Sequence, residues 1–592
     1  MNTMNSTSSV LERWIIGVLD ALLLALVVFW LAGTYLNWHL LQIQFILTAF
    51  ILGVTGVLSV AAWRHGFRWF FSRRASRFYA WLIVGVISVI VLSYVEESWR
   101  GKRAWAALQR EAAARGESLE LSSVFPPQVP DEQNFALAPG VPHLFGFAES
   151  GSGESRESAP SGVFYHGTAD NWPAAARALQ QATDLVAWQT FFRRHPITPR
   201  TPTNDNLSWL AFPVAPEPQT PAADVLLALS RCDSALAVLR AANQRPKVRY
   251  PLPYEDGFFA LAWPPHQPHL DILYSAVHVL YLRAVAELAQ DQSEAALQDI
   301  LLALRLADSL RQEPYQPLHG TRAEMLVLCL QPVWEGLARH RWNEPQLLTL
   351  QQRLAGMDLL ADFRVAARGE TILMMNLADQ LQAFVQNRRS PYGDRIKSGE
   401  EGESFWPRLF RAVYPVGWFY QDKVWMYRFY ERRADVLKAV DPANAERRSA
   451  EMLRVTDPLL VVMVVPRLNE VFSDGASKAL FLQTVCQEAM VACALERYRL
   501  AQGQYPDSLG VLVPAWLKQV PADLLAPGGA PLKYRREADG GFVLYSIGLN
   551  RLDENGKSAP SRSNEPWRGF RPSDRFFPLL DEGDWVWSQS GR

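Results

Sequence analysis

Hydrophobic positions along the 592-residue chain fall into three regimes. From Trp14 to Val95 they form near-continuous runs. From about Asn171 to Gln386 they recur at every third or fourth residue. Beyond Pro531 they form short stretches divided by Gly- and Asp-bearing turns. The first regime contains Trp14–Leu36, Leu40–Trp63 and Phe78–Val95. A helix needs about 18–25 apolar residues to cross roughly 30 Å of hydrocarbon, and each run has that length. Trp14, Trp30, Trp38, Trp63, Trp81 and Tyr94 lie mostly near the run ends, as an interfacial aromatic belt does. The pattern predicts three transmembrane helices. The first run is too long for a cleaved leader, and two more follow it.

The loops between the runs differ in charge. Asn37–His39 has no Lys or Arg, whereas Arg64–Arg77 carries Arg64, Arg68, Arg73, Arg74 and Arg77. The positive-inside rule puts that second loop in the cytoplasm, the N-terminus with it, and residues 96–592 outside, in an extracytoplasmic compartment of the bacterial inner membrane. Arg100, Lys102, Arg103, Arg110 and Arg115 pull the other way, but long domains translocate largely regardless of charge. Asp20, inside the first run and two turns from Trp14, reads as a polar contact to Thr48 or Thr55 rather than a proton path.

Helical spacing dominates the next part. Glu96–Gly116 continues the third span as a charged, Ala-rich helix. The prolines of Leu119–Leu144 forbid a regular helix, so an extended arm is expected there. Ser150–Gly162 is a Ser/Gly-rich loop. Helices are expected from Asn171, from Thr220-Pro221 to about Asn243, and over Leu270–Gln290, Ser293–Arg311, Thr321–His340, Pro345–Leu354 and Phe363–Gln386. Gly369 is a weak point inside the last of these. The hairpin Leu270–Arg311, with small residues at Ala284, Ala295 and Ala296, loosely resembles tetratricopeptide-type repeats, though no strict period is visible. Trp406–Tyr430 is dense in aromatics.

The C-terminal part carries the most specific pattern. A long helix, Ser473–Gln502, ends in Ala494-Leu495 and Tyr498, then Gly503, Tyr505 and Pro506. Pro521 and Asp523 follow, then strands over Pro531–Arg536 and Phe542–Gly548 with Tyr534, Tyr545, Ser546 and Gly548, and a last strand near Asp584–Trp587. Residues 457–557 resemble the head domain of the major pseudopilin of type II secretion systems. The resemblance implies a long helix carrying a small antiparallel sheet. It also implies calcium in the loop after the Tyr-Ser-x-Gly strand, with Asn550, Asp553 and Asn555 as ligands. Read from the residues alone, that loop is an Asx/Gly turn lacking further aspartates. The apolar run before Pro466 spans only Leu459–Val465 and sits deep in the chain, so a fibre subunit is not expected. A pilin-type head reused within a larger anchored protein is.

The predicted fold is therefore mainly α. It comprises an anchor with three transmembrane helices (1–95), a juxtamembrane helix, Pro-rich arm and loop (96–162), and a helical hairpin, solenoid-like region (163–390). A charged and aromatic connecting segment (391–456) and a pseudopilin-like α+β domain (457–592) complete it.

Charge and motifs narrow the function. Lys+Arg 59 against Asp+Glu 60 leaves a net charge of −1, which supplies no field for nucleic acid. No phosphate loop, serine-hydrolase elbow or zinc-helix motif occurs. His266, His269 and Asp271 have metal-like spacing but sit at a helix entrance, where capping explains them. Cys486 and Cys493 stand about 10 Å apart on one helix, so they and Cys232 and Cys329 read as buried thiols. The expectation is a non-enzymatic envelope scaffold whose partners are the lipid bilayer and envelope proteins, linked to a secretion-type assembly. The rival is a membrane-anchored enzyme acting on an envelope polymer, its cleft lined by the aromatics of 406–430, with Asp422, Glu431 and Asp435 as its carboxylates. A transporter is disfavoured, because three spans make a poor conduit.

Overall fold

The computed structural model describes residues 73–147, 164, 180–197, 211–258, 261, 268–385, 416–438, 465–558, 577, 580 and 582–588. The runs Trp14–Leu36 and Leu40–Trp63, Asp20, the loop 150–162, the helix start at Asn171 and the segment 390–404 lie outside the described residues. The chain divides into two compact units. One comprises Met1–Glu117, Ala378–Met426 and Ser449–Glu470; the other comprises Ser118–Leu377, Tyr427–Arg448 and Val471–Arg592.

In the first unit α1 runs unbroken from Arg73 to Ala114. It contains no proline, and its two serines inside the apolar stretch turn their hydroxyls inward. Ser88 donates to the Val84 carbonyl and Ser93 to the Val89 carbonyl, each at 2.7 Å, which hides their polarity within the helix. The start of α11 (Val416–Lys438) packs on the later turns of α1 through facing glycines, Gly101 and Gly417.

The second unit is built from helical layers with a small sheet. Its elements are α2 (Val141–Leu144), α3 (Leu185–Arg193), α4 (Pro221–Leu229), α5 (Asp233–Ala242), α6 (Pro268–Ala289), α7 (Ser293–Asp308), α8 (Gln316–Ala338), α9 (Glu344–Ala355), and all but the ends of α10 (Leu359–Val385) and α12 (Val465–Gln502), whose Ala378–Val385 and Val465–Glu470 belong to the first unit. The strands β1 (Lys533–Arg536), β2 (Phe542–Ser546) and β3 (Trp585–Ser588) form an antiparallel sheet in the order β1-β2-β3, with Tyr534 opposite Leu544 and Leu544 opposite Trp587. One continuous apolar core runs from Phe135 through the hairpins to α12 and Trp587.

Local chemistry sets the boundaries. Thr220 caps α4, with its hydroxyl oxygen taking the Ala223 amide. The single helix expected from Thr220 to Asn243 is broken by a 3-10 turn at Ser230–Cys232. Asp291, at φ +60°, turns α6 into α7. Asn343 and Gln346 form a capping box at α9, and Gly503, at φ +78°, follows the end of α12. The arm Leu119–Leu144 differs from expectation. It winds instead into single turns at Leu121–Val124, Asp131–Gln133, Phe135–Leu137 and α2. Asn134 pins it: its side chain takes the Arg249 amide at 2.9 Å and donates to the Arg249 carbonyl at 2.8 Å.

Among the described residues, three helical stretches are long and apolar enough to cross a membrane: Ser76–Ala114, His269–Ala289 and Gly475–Gln502. Burial separates them. The most apolar window is 83% buried in the second stretch and 78% in the third, whereas in the first it is only 6% buried at a mean hydropathy of 2.3. The second and third supply the protein core.

Candidate functional site

The first candidate is the exposed apolar surface of α1. Trp81, Ile83, Val84, Ile87, Ile90, Val91, Leu92 and Val95 are all exposed, Trp81 to 75%. Soluble proteins rarely carry contiguous apolar patches beyond a few hundred Å², and this one encircles about four turns. Past Val95 the helix becomes polar and engages α11. Glu97 takes hydrogen bonds from Arg100 at 2.8 Å and Gln421 at 2.7 Å. The Lys423 ammonium lies 4.2 Å from the Trp105 ring centroid and 2.7 Å from Asp379. This is where the aromatic stretch goes: Phe419, Met426 and Tyr427 are buried and Trp418, Tyr420 and Trp425 half-buried. Of the carboxylates considered there, Asp422 is buried, Glu431 pairs with Arg428 at 2.8 Å, and the side chain of Asp435 lies outside the described residues.

The second candidate is the pseudopilin-like pattern, whose residues are tied together by hydrogen bonds. Tyr505 donates to Glu496 at 2.5 Å, and Tyr534 donates to the Pro506 carbonyl at 2.7 Å. Asp523 takes the Leu525 amide, the Ser546 hydroxyl and the Ile547 amide at 2.7–3.0 Å. A Cβ at Gly548, φ +65°, would fall 2.5 Å from the Gly583 carbonyl oxygen, so only glycine fits that turn. The other partners of Glu496 had no sequence signal. His340, at φ +54°, bonds it through Nδ1 at 2.7 Å, and Arg499 forks onto it at 2.7 and 2.9 Å.

The expected calcium loop is braced by protein groups. Asn550 takes the Leu552 amide. One oxygen of Asp553 takes the Tyr545 hydroxyl and the Asn555 amide, while the other lies 3.2 Å from the Lys533 ammonium. Asp584, thirty residues downstream, takes the Glu554 and Gly556 amides. Asn550, Asp553 and Asn555 thus share one turn, with the Lys533 cation beside its carboxylate. Among the described residues no group of three or more His, Cys, Asp or Glu is disposed to hold a metal ion. His269 is fully buried and stacked on Tyr250 at 4.3 Å, Asp271 is exposed, and His266 lies outside the described residues. All four cysteines are buried free thiols.

A third cluster joins α7, α8, α9 and α10. Arg322 reaches Asp308 and Asp362, each at 2.9 Å; Arg311 bonds Asp362 at 2.5 Å, and Arg353 pairs with Asp308. Burial alone would raise the Asp308 carboxyl, but Arg322 and Arg353 outweigh it and hold it below its ordinary value. His319, one turn from Arg322, is held down to about 3 by burial and then by the Arg322 charge, so its ring is neutral. These residues are spread over 55 positions and carry no local motif, so only the fold reveals them.

No protein-family model, curated protein or solved structure matches this chain.

Proposed function

We propose that this chain is an integral protein of the bacterial inner membrane. It works as an envelope scaffold whose extracytoplasmic helical part and pseudopilin-like module hold protein partners of a secretion-type assembly, without chemistry of its own. The observation that carries the reading is the bare apolar surface of α1, which water would not tolerate and a bilayer would. The arginines of Arg64–Arg77 favour a cytoplasmic N-terminus, with residues 96–592 outside.

Three experiments test this. An alkaline phosphatase fusion after Ala136 is expected to be active, and an inactive fusion in intact cells overturns the orientation. Crosslinking and affinity purification from native membranes is expected to return the same envelope proteins repeatedly. Turnover of an envelope polymer by the purified chain overturns the scaffold reading.

A further inference from the structure

We propose that the groove along α1 between Ile90 and Lys102 holds one anionic phospholipid, its phosphate at Lys102 and an acyl chain along Ile90, Val91 and Val95. The inference rests on the reading that the apolar turns of α1 lie in a bilayer, and it adds which lipid the helix selects there.

The groove measures about 690 Å³. Its lining recurs at three- and four-residue intervals, from Val91 through Tyr94, Val95, Ser98 and Trp99 to Lys102, so these residues share one face of the helix. Their chemistry changes in order along that face. Ile90, Val91 and Val95 are apolar and each more than half exposed. Tyr94 and Trp99 bring amphipathic rings of the kind that settle at the glycerol and headgroup level. Lys102 ends the series with a charge. A phospholipid runs in the same order from chain to glycerol to phosphate. From Ile90 to Lys102 the helix rises about 18 Å, close to the ~20–22 Å of one leaflet with its headgroups. Helical side chains tilt toward the N-terminus, which brings the long Lys102 stem back toward the level of Trp99 and Val95.

Charge selects the headgroup. The three cations that follow the apolar stretch differ in what they meet. Arg100 pairs with Glu97 at 2.8 Å, and Arg103 lies over the Trp99 ring at 5.1 Å. Among the described residues, Lys102 makes no hydrogen bond or ion pair, and no carboxylate lines the groove. Glu96 stands about 120° round the helix from Lys102, outside that lining. The preceding sequence supplies no partner either. Up to Val95 its only acids are Glu12 and Asp20, and the loop Asn37–His39, which three spans would put on the side of Lys102, has none. A zwitterionic headgroup brings an ammonium beside its own phosphate and leaves the Lys102 charge in excess. A headgroup with a net negative charge cancels it, as a phosphate on a lysine does elsewhere.

The test uses the full chain reconstituted in phosphatidylcholine vesicles with a trace of spin-labelled lipid, either phosphatidylglycerol or phosphatidylcholine. The motionally restricted fraction of each label reports the lipid held at the protein. Phosphatidylglycerol is expected to be preferred about fivefold, the worth of one lysine at a membrane surface. Lys102→Gln is expected to remove most of that preference and Lys102→Arg to keep it. Arg110→Gln, a cation outside the groove, is expected to leave it unchanged. Equal restriction of the two lipids by the unaltered chain overturns the proposal while leaving α1 in the bilayer. A preference that survives Lys102→Gln, or is lost as fully in Arg110→Gln, overturns it too. Restriction of neither lipid overturns the membrane reading and this proposal with it.

Discussion

A Cβ placed on Gly101 would stand 2.1 Å from the carbonyl oxygen of Gly417, and one placed on Gly417 would stand 2.1 Å from that of Glu97. Backbone therefore meets backbone where α11 crosses α1, one turn past the apolar stretch, and neither side can yield. Gly417→Ala is expected to cost about 1–3 kcal/mol by overpacking. Hydrogen exchange should show lost protection over Val416–Met426 and over the turns of α1 around Gly101. Gly85→Ala is the control, since nothing lies within 4 Å there, and it should leave exchange unchanged.

Gly369 tests the same logic against helix propensity. In an exposed helix interior Gly→Ala gains about 1 kcal/mol. Here the added methyl would meet the Pro314 carbonyl oxygen at 2.3 Å. Steric cost exceeds the propensity gain, so Gly369→Ala is expected to lower the denaturation midpoint rather than raise it.

Glu313 predicts a pH dependence. Burial pushes its carboxyl up to about 7, against the pull of the Tyr254 hydroxyl and Arg249. The folded state then keeps a proton that the unfolded chain releases near its ordinary value of 4.5. Stability from this group is full below pH 4.5 and declines as pH rises to about 7, by roughly 3 kcal/mol in all. Asp308 acts in a separate window, because its lowered value contributes stability that is lost as pH falls below the ordinary 3.8. Denaturant midpoints between pH 5 and 7 should fall in the native chain and fall less steeply in Glu313→Gln, where Glu287, also pushed up to about 7 by burial, and Glu488, raised by burial, still contribute.

Asp523 tests the C-terminal module. Removing its carboxylate strands two amides and a hydroxyl in the interior, and unsatisfied groups of this kind cost about 1–3 kcal/mol each before relaxation. Asp523→Ala is expected to lower the melting temperature and expose β2 to exchange. Asp553→Ala, whose side chain is 40% exposed, should change the midpoint little.

What the sequence revealed follows physical range. The third apolar run reads directly as α1, because one helix satisfies its own backbone and composition alone decides its surroundings. Hairpin helices and strands follow from local spacing and turn residues to within a few positions. The expected start of the long helix at Ser473 falls eight residues late: α12 begins at Val465, since proline, here Pro466, is tolerated in a first turn. Gly369 is visible as a weak point, but its cause, the Pro314 carbonyl, is not. The bond between His340 and Glu496 spans 156 positions, and the Arg322 cluster draws on four helices. Such pairings depend on packing and leave no periodic trace.

The central claim is that the apolar turns of α1 lie in lipid. A fluorophore attached to Ile87→Cys, with the four native cysteines buried, reports on it directly in reconstituted vesicles. The label is expected to emit to the blue and to be quenched by brominated acyl chains but not by aqueous iodide, the reverse of a label at the 62% exposed Leu552. Quenching by iodide as complete at position 87 as at position 552 would contradict the account.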